Sequence, residues 1–378
     1  MNQLQNIIQG QNQEENDKVE KDKISQISKD QTNLDISQKD LEILQSLSLD
    51  INQQEFIIKY NDMFKEANAL NYIKNFKLEI NLRDSIPKEF IDHANQMIAA
   101  LHQIQNFDIK LKIQKSTVIQ EFLDNLGFAI SNLKNLQSFY FKVESIGSNV
   151  ESLDLTCFLK SVNQLQNLKN LSILFKNFAK FQDQMDIFGR ELKEIKNLSN
   201  LKFYFLTNNI DQLDLALMFQ QLEIQSNLVQ LSLGFEFGNI QSKGIEIIMA
   251  YLQKLPILRH LALQIRDCKL GQQGGQAFKD GFQNLPNLEK LSLTLRNSYM
   301  GEQGYCLVSQ GFSYLLKLKQ IKIKTEDNLG SDYYQYLTST LPYLKFLTFV
   351  KFVLHCYFEK KIFQRMMRSI RLVHIYKN

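Results

Sequence analysis

Apolar and polar residues alternate along this chain in a unit that returns about every thirty residues. Each unit contains L-x-x-L-x-L-x-L, with Ile or Phe in place of Leu at some positions, which has the two-residue period of a half-buried strand. It reads Leu168-Leu171-Ile173-Phe175, Leu198-Leu201-Phe203-Phe205, Leu228-Leu231-Leu233-Phe235, Leu258-Leu261-Leu263-Ile265 and Leu288-Leu291-Leu293-Leu295, and the first positions of these five copies are 30 apart. Earlier copies begin at Leu44, Ile73, Ile104 and Leu136. Later ones read Leu318-Ile321-Ile323, Leu344-Leu347-Phe349 and a short Met367-Ile370-Leu372.

The other half of each unit has a helical period. Apolar residues stand 10, 6 and 3 places before the first Leu, as in Phe158-Val162-Leu165, Phe188-Leu192-Ile195, Ile248-Leu252-Leu255 and Phe278-Phe282-Leu285. The spacing i, i+4, i+7 is one stripe of an α-helix. A single helix–strand unit cannot bury its own apolar side, whereas stacked units close stripe and strand over a shared interior. Successive strands then lie parallel. Helices need roughly 10 Å of width against about 4.8 Å for a strand, so the stack curves into a horseshoe with the sheet on its inner arc.

These residues resemble the leucine-rich-repeat family, most closely its long-repeat, ribonuclease-inhibitor-like subtype, over roughly residues 41–378. The resemblance implies an α/β, right-handed solenoid with a parallel sheet on the concave face and helices on the convex face. The family's Asn or Cys at the ninth place of the motif is missing. Lys112, Glu144, Lys176, Leu206, Glu236, Arg266 and Arg296 stand there instead, and the strand runs one pair longer. Glycines are expected to close the turns: Gly271 and Gly274, Gly301 and Gly304, with Gly244 and Gly330 in register. Glycine suits turns that need positive φ or close backbone approach.

The first residues break the pattern. Residues 1–33 are rich in Gln, Asn, Lys and Asp and read as a disordered polar tail, because so little apolar surface cannot offset the entropy of ordering. Residues 34–378 form the solenoid of about ten repeats. The whole chain is formally +4 and its first forty residues −3, so the body carries +7, too little for a dedicated nucleic-acid binder. Near 358–378, six bases accompany one acid, and Phe358, Ile362, Met366 and Ile370 recur every fourth place. This basic amphipathic segment is expected to cap the open end of the core, with a free ligand-binding segment as the other reading. No apolar run is long enough for a membrane span, and no secretory signal opens the chain. Cys157, Cys268, Cys306 and Cys356 are widely spaced, Cys157 in a helical segment and Cys268 and Cys306 in or beside turns, which fits free thiols in a reducing compartment. A cytoplasmic setting follows, with a nuclear one left open.

Candidate chemistry is sparse. The five histidines have no partners at metal-ligand spacing, so no metal is expected. Gly271-Gln-Gln-Gly274-Gly275 lacks the Lys-Ser/Thr of a phosphate loop and recurs as a turn one repeat later. The chain reads as non-enzymatic and without a cofactor. What remains is the inner face, where residues between the Leu columns point away from the core. Its fifth, seventh and ninth places hold ten bases and five acids, an excess of five. Candidate partner-binding residues are Lys110, Tyr140, Lys142, Lys176, Lys202, Tyr204, Arg266, Arg296, Lys322 and Lys324, flanking smaller ones such as Ser232, Gly234, Ala262, Ser292 and Thr294. Tyr and Arg are common interface anchors. The expected function is a protein-interaction scaffold for a partner with an acidic surface. The resemblance also admits a GTPase-activating protein of the Ran type, or an accessory repeat module of a signalling protein.

Overall fold

The structure, a computed structural model, describes residues 46–52, 73–82, 88–114, 119–146, 153–178, 181, 184–222, 227–325, 331–354 and 373–377. The amino-terminal tail and most of the basic carboxy-terminal segment lie outside the described residues.

Twelve strands form one open sheet in strict chain order, every neighbouring pair parallel. They are β1 (Ser46–Asn52), β2 (Asn75–Leu82), β3 (Asn106–Ile113), β4 (Ser138–Ser145), β5 (Asn170–Lys176), β6 (Asn200–Leu206), β7 (Gln230–Glu236), β8 (His260–Arg266), β9 (Lys290–Arg296), β10 (Gln320–Thr325), β11 (Phe349–Leu354) and β12 (Val373–Lys377). Between them run α1 (Lys88–Ala100), α2 (Ile119–Ser131), α3 (Thr156–Val162), α4 (Met185–Leu192), α5 (Gln212–Gln221), α6 (Gln241–Leu252), α7 (Gly271–Phe282), α8 (Gly301–Gly311) and α9 (Ser331–Thr340). Short 3-10 turns follow α8 and α9. The helices cover one face of the sheet. The Leu, Ile and Phe columns of strand and helix merge into a single buried cluster running from Ile73 to Val350. This is the repeat solenoid that the periodicity predicts.

Phenylalanine fills the early and middle part of that core. Phe175 touches Phe141, Phe178, Phe181, Phe188 and Phe205 with ring centroids 4.7–6.4 Å apart, within the range of favourable aromatic contacts. In β8 and β9 Leu and Ile take over the strand columns.

The last two repeats are registered differently from the sequence reading. Ile321 pairs with Val350 and Ile323 with Phe352, so the copy after Leu318 is Leu347-Val350-Phe352, a step of 29. Leu344 is instead the counterpart of Leu315: each closes its 3-10 turn, with Leu315 N donating to Phe312 O at 3.0 Å and Leu344 N to Leu341 O at 3.1 Å. The final strand likewise registers on Val373, opposite Val350. The confusion has a simple cause. The last helical Leu and the first strand Leu are three residues apart, and so are the first and second strand positions, so L-x-x-L-x-x-L fits two registers.

The turns also differ from expectation. An asparagine column is present, but it stands just before the strand motif. Asn135, Asn167, Asn197, Asn227 and Asn287 each donate to a carbonyl of the preceding coil (His102, Lys134, Gln166, Lys196 and Pro256) at 2.7–3.1 Å. After the strand, the left-handed conformation falls on the tenth place whatever residue occupies it: Asn177, Thr207, Phe237, Asp267 and Asn297, with φ of 46–65°. The Asn or Cys absent from the ninth place reappears at the eleventh in two coils, displaced because the strand is one pair longer. Buried Asn208 donates to Phe175 O at 2.9 Å and accepts from Phe178 N at 2.9 Å. Buried Cys268 donates to Arg266 O at 3.0 Å.

Of the predicted turn glycines, Gly271 and Gly301 have φ of +61°. Gly244, Gly274 and Gly304 are helical instead, and Gly330 lies outside the described residues. Their neighbour Gly275 serves packing: a Cβ there would sit 2.2 Å from Gly304 O, so α7 and α8 meet backbone to backbone. Cys157, Cys268 and Cys306 are free thiols, and Cys306 lies buried inside α8 rather than beside a turn. Burial pushes the Cys268 thiol up to about 12 and that of Cys306 to about 11.

Candidate functional site

With helices on one face of the sheet, the other face is open. On each strand from β2 to β10 it presents residues from the third, fifth, seventh and ninth places of the motif, because side chains alternate across a strand. The parallel register aligns them into rows. One row runs Asp108, Tyr140, Ser172, Lys202, Ser232, Ala262, Ser292 and Lys322; the next runs Lys110, Lys142, Leu174, Tyr204, Gly234, Gln264, Thr294 and Lys324. All ten candidate residues lie on this face.

Their surroundings are not equal. Glu79 pairs with Lys110 at 3.2 Å and Lys112 at 2.7 Å. Glu144 pairs with Lys142 at 2.8 Å and Lys176 at 2.6 Å. Arg266 pairs with Glu236 at 3.2 Å. The hydrogen bond from Lys112, with that from Lys110, holds the Glu79 carboxyl below its ordinary value despite partial burial. Burial would raise Glu144, but the bonds from Lys142 and Lys176 outweigh it and its pKa is lowered. Four of the ten candidates, Lys110, Lys142, Lys176 and Arg266, therefore already have carboxylate partners. Lys202, Lys322 and Lys324 form no ion pair among the described residues, and neither does Lys290, a third-place residue beside them.

The structure brings Tyr140, Lys202 and Tyr204 together around one depression of about 490 Å³. Its floor is Ser172, a small residue between Tyr140 and Lys202 on the adjoining strands. Leu174 and Tyr204 wall one end; Ser138, Asn170, Asn200 and Gln230, from the third places, line the other. Tyr204 leans over the next strand: a Cβ on Gly234 would lie 2.2 Å from its ring. Glycine at 234 thus makes the notch that takes this ring. Burial, followed by the nearby charges of Asp108 and Glu79, raises the Tyr140 phenol. Burial also raises the Asp108 carboxyl, partly offset by Lys77 and Lys110. The depression runs from an acidic edge at Asp108 to a cationic one at Lys202.

The third-place row was absent from the candidate set, although alternation alone puts it on this face. Asn106 donates to Asn75 at 2.6 Å, and Asn200 is hydrogen-bonded to Asn170. Further along the row stands His260, half-buried. Burial lowers its pKa first, then Lys290, Arg259 and Lys319, with Glu289 opposing. Among the described residues no group of three or more His, Cys, Asp or Glu is placed to hold a metal ion, and no helix is long and apolar enough to cross a membrane.

No family model and no curated protein sequence matches this chain. Among solved structures it is similar to the yeast Rad7 and Elc1 complex (14% identity, 98% of this chain and 90% of that one, TM-score 0.43). It is also similar to a Bacteroides fragilis protein (13% identity, 80% of this chain and 74% of that one, TM-score 0.44).

Proposed function

We propose that this chain is an interaction scaffold of the leucine-rich-repeat kind, which holds an acidic protein partner on its open sheet face and acts by binding rather than by catalysis. The observation that carries this reading is the charge distribution of that face. Glu79, Glu144 and Glu236 engage the bases around them, whereas Lys202, Lys290, Lys322 and Lys324 form no ion pair among the described residues. A long uncovered sheet with an aromatic depression and unpaired lysines is complementary to carboxylates. The asparagine column before five of the strands and the thirty-residue unit support the repeat assignment.

The test is affinity capture from the native cell with the intact chain and with Lys322→Glu combined with Lys324→Glu. Loss of a specific, salt-sensitive partner in the double variant, with melting unchanged, supports the reading. Full retention moves the partner off this face. The same preparation, incubated with candidate small GTPases, should leave GTP hydrolysis at its intrinsic rate; acceleration would replace a scaffold with a GTPase-activating protein.

A further inference from the structure

Resting on that reading, we infer that the depression over Ser172 receives an apolar or aromatic side chain from an acidic segment of the partner, with a neighbouring carboxylate on Lys202. Three features of the depression converge. The first is shape. Ser172 is a small floor residue, Tyr140 stands on one adjoining strand and Lys202 on the other, and adjacent strands are about 4.8 Å apart. The gap between the flanking residues is therefore about two strand spacings, the width of one side chain laid between them. The volume of about 490 Å³ falls within the range of pockets that enclose small ligands and suits one or two side chains rather than a folded domain.

The second feature is chemistry. Leu174 and the faces of Tyr140 and Tyr204 offer apolar contact, and rigid aromatic walls lose little entropy on binding. The third-place amides of Asn170, Asn200 and Gln230 offer donors and acceptors for a peptide backbone along the opposite edge. The third is charge. Lys202 is the cation at the depression and forms no ion pair among the described residues, while Asp108 closes the far side. A segment with its carboxylate on the Lys202 side fits; one with a cation there is repelled. Gly234 sets the position of the Tyr204 wall, so this wall is built by a backbone feature and is not merely a tyrosine in solvent.

A random twelve-residue peptide library displayed on phage, selected against the intact chain, is the probe. Enriched peptides should carry Leu, Phe, Tyr or Trp within a few residues of Asp or Glu. The affinity of a synthetic copy should fall at least about tenfold with Lys202→Glu and with Ser172→Trp, a difference readily resolved by titration. Both positions face away from the core, so melting should not move. Gly234→Ala, which keeps every wall residue but displaces the Tyr204 ring, should weaken the peptide by a smaller factor. Enrichment of peptides without acids overturns the inference. So does an acidic peptide indifferent to Lys202→Glu and Ser172→Trp. If such a peptide still responds to Lys322→Glu with Lys324→Glu, the open face keeps its function and only the depression is lost; indifference to all four substitutions overturns the scaffold reading as well.

Discussion

From β2 to β5 the open face carries five bases and three acids, and Glu79 and Glu144 each bridge two lysines. From β6 to β10 its described residues include six bases and one acid, and that acid, Glu236, pairs with Arg266. Backbone, register and row positions are the same in both halves. The difference lies in what the outward places hold, and it shows that counting bases along a strand pattern does not locate a binding surface. In the first half the carboxylates stand on the same strand as the lysines or on the next one, close enough to neutralise them. In the second, small residues such as Ser232, Ala262, Ser292 and Thr294 separate the charged ones, and lysines that form no ion pair among the described residues raise the local potential. Such potentials steer and select acidic partners.

The comparison assumes that the two halves share a backbone but answer separately to change, as stacked units do when each touches only its neighbours. The strongest test removes a core ring from one half. Phe175→Ala should cost about 3–5 kcal/mol, the range for a buried Phe, because its ring is fully enclosed and meets five other phenylalanines. Hydrogen exchange should then speed up in β4–β6 while β9 and β10 stay protected; equal loosening throughout would make the halves one cooperative unit. Next in size is charge reversal. Lys322→Glu with Lys324→Glu should weaken the captured partner at least about tenfold, roughly 1.4 kcal/mol. Lys142→Glu with Lys176→Glu should change capture far less, since those lysines are already held by Glu144. Equal losses in a quantitative pull-down would erase the distinction between halves.

A smaller effect is expected in the turns. Asn197→Ala removes one hydrogen bond, to Gln166 O at 2.7 Å, and should lower stability by about 1 kcal/mol in denaturant titration. The smallest is the response to acid. Glu79 and Glu144 have lowered pKa values in the folded chain. The stability they contribute is complete above the ordinary carboxylate value and is lost as pH falls through their lowered values. Asp108, raised by burial, works in the opposite sense. Melting curves of Glu144→Gln should therefore fall less steeply with acid than those of the parent chain, and parallel curves would show that the pairs in the first half contribute nothing.

Most of the fold was legible because one period repeats: the columns that include Phe175, Leu201 and Leu263 fix both strand face and neighbour. The register of the last coils was not, since Leu315, Leu318 and Ile321 repeat at three-residue steps that two alignments satisfy. The asparagine column was legible and overlooked. Asn-Leu opens the motif at 135, 167, 197, 227 and 287, whereas the resemblance puts the asparagine at the ninth place. In the candidate site, outward direction could be read for every residue. Pairing across strands could not, because whether Lys176 or Lys322 is neutralised depends on side chains thirty residues away in sequence. Nor could the lean of Tyr204 over Gly234, which only the two-strand geometry creates.

The account turns on the open face being where the partner sits, and lysine acetylation footprinting of the captured complex tests it most directly. Lys202, Lys290, Lys322 and Lys324 should lose reactivity in the complex, while Lys160 on α3 and Lys243 on α6, exposed on the helical side, should be labelled as in the free chain. Protection of Lys160 and Lys243 with the four sheet lysines still reactive would contradict it.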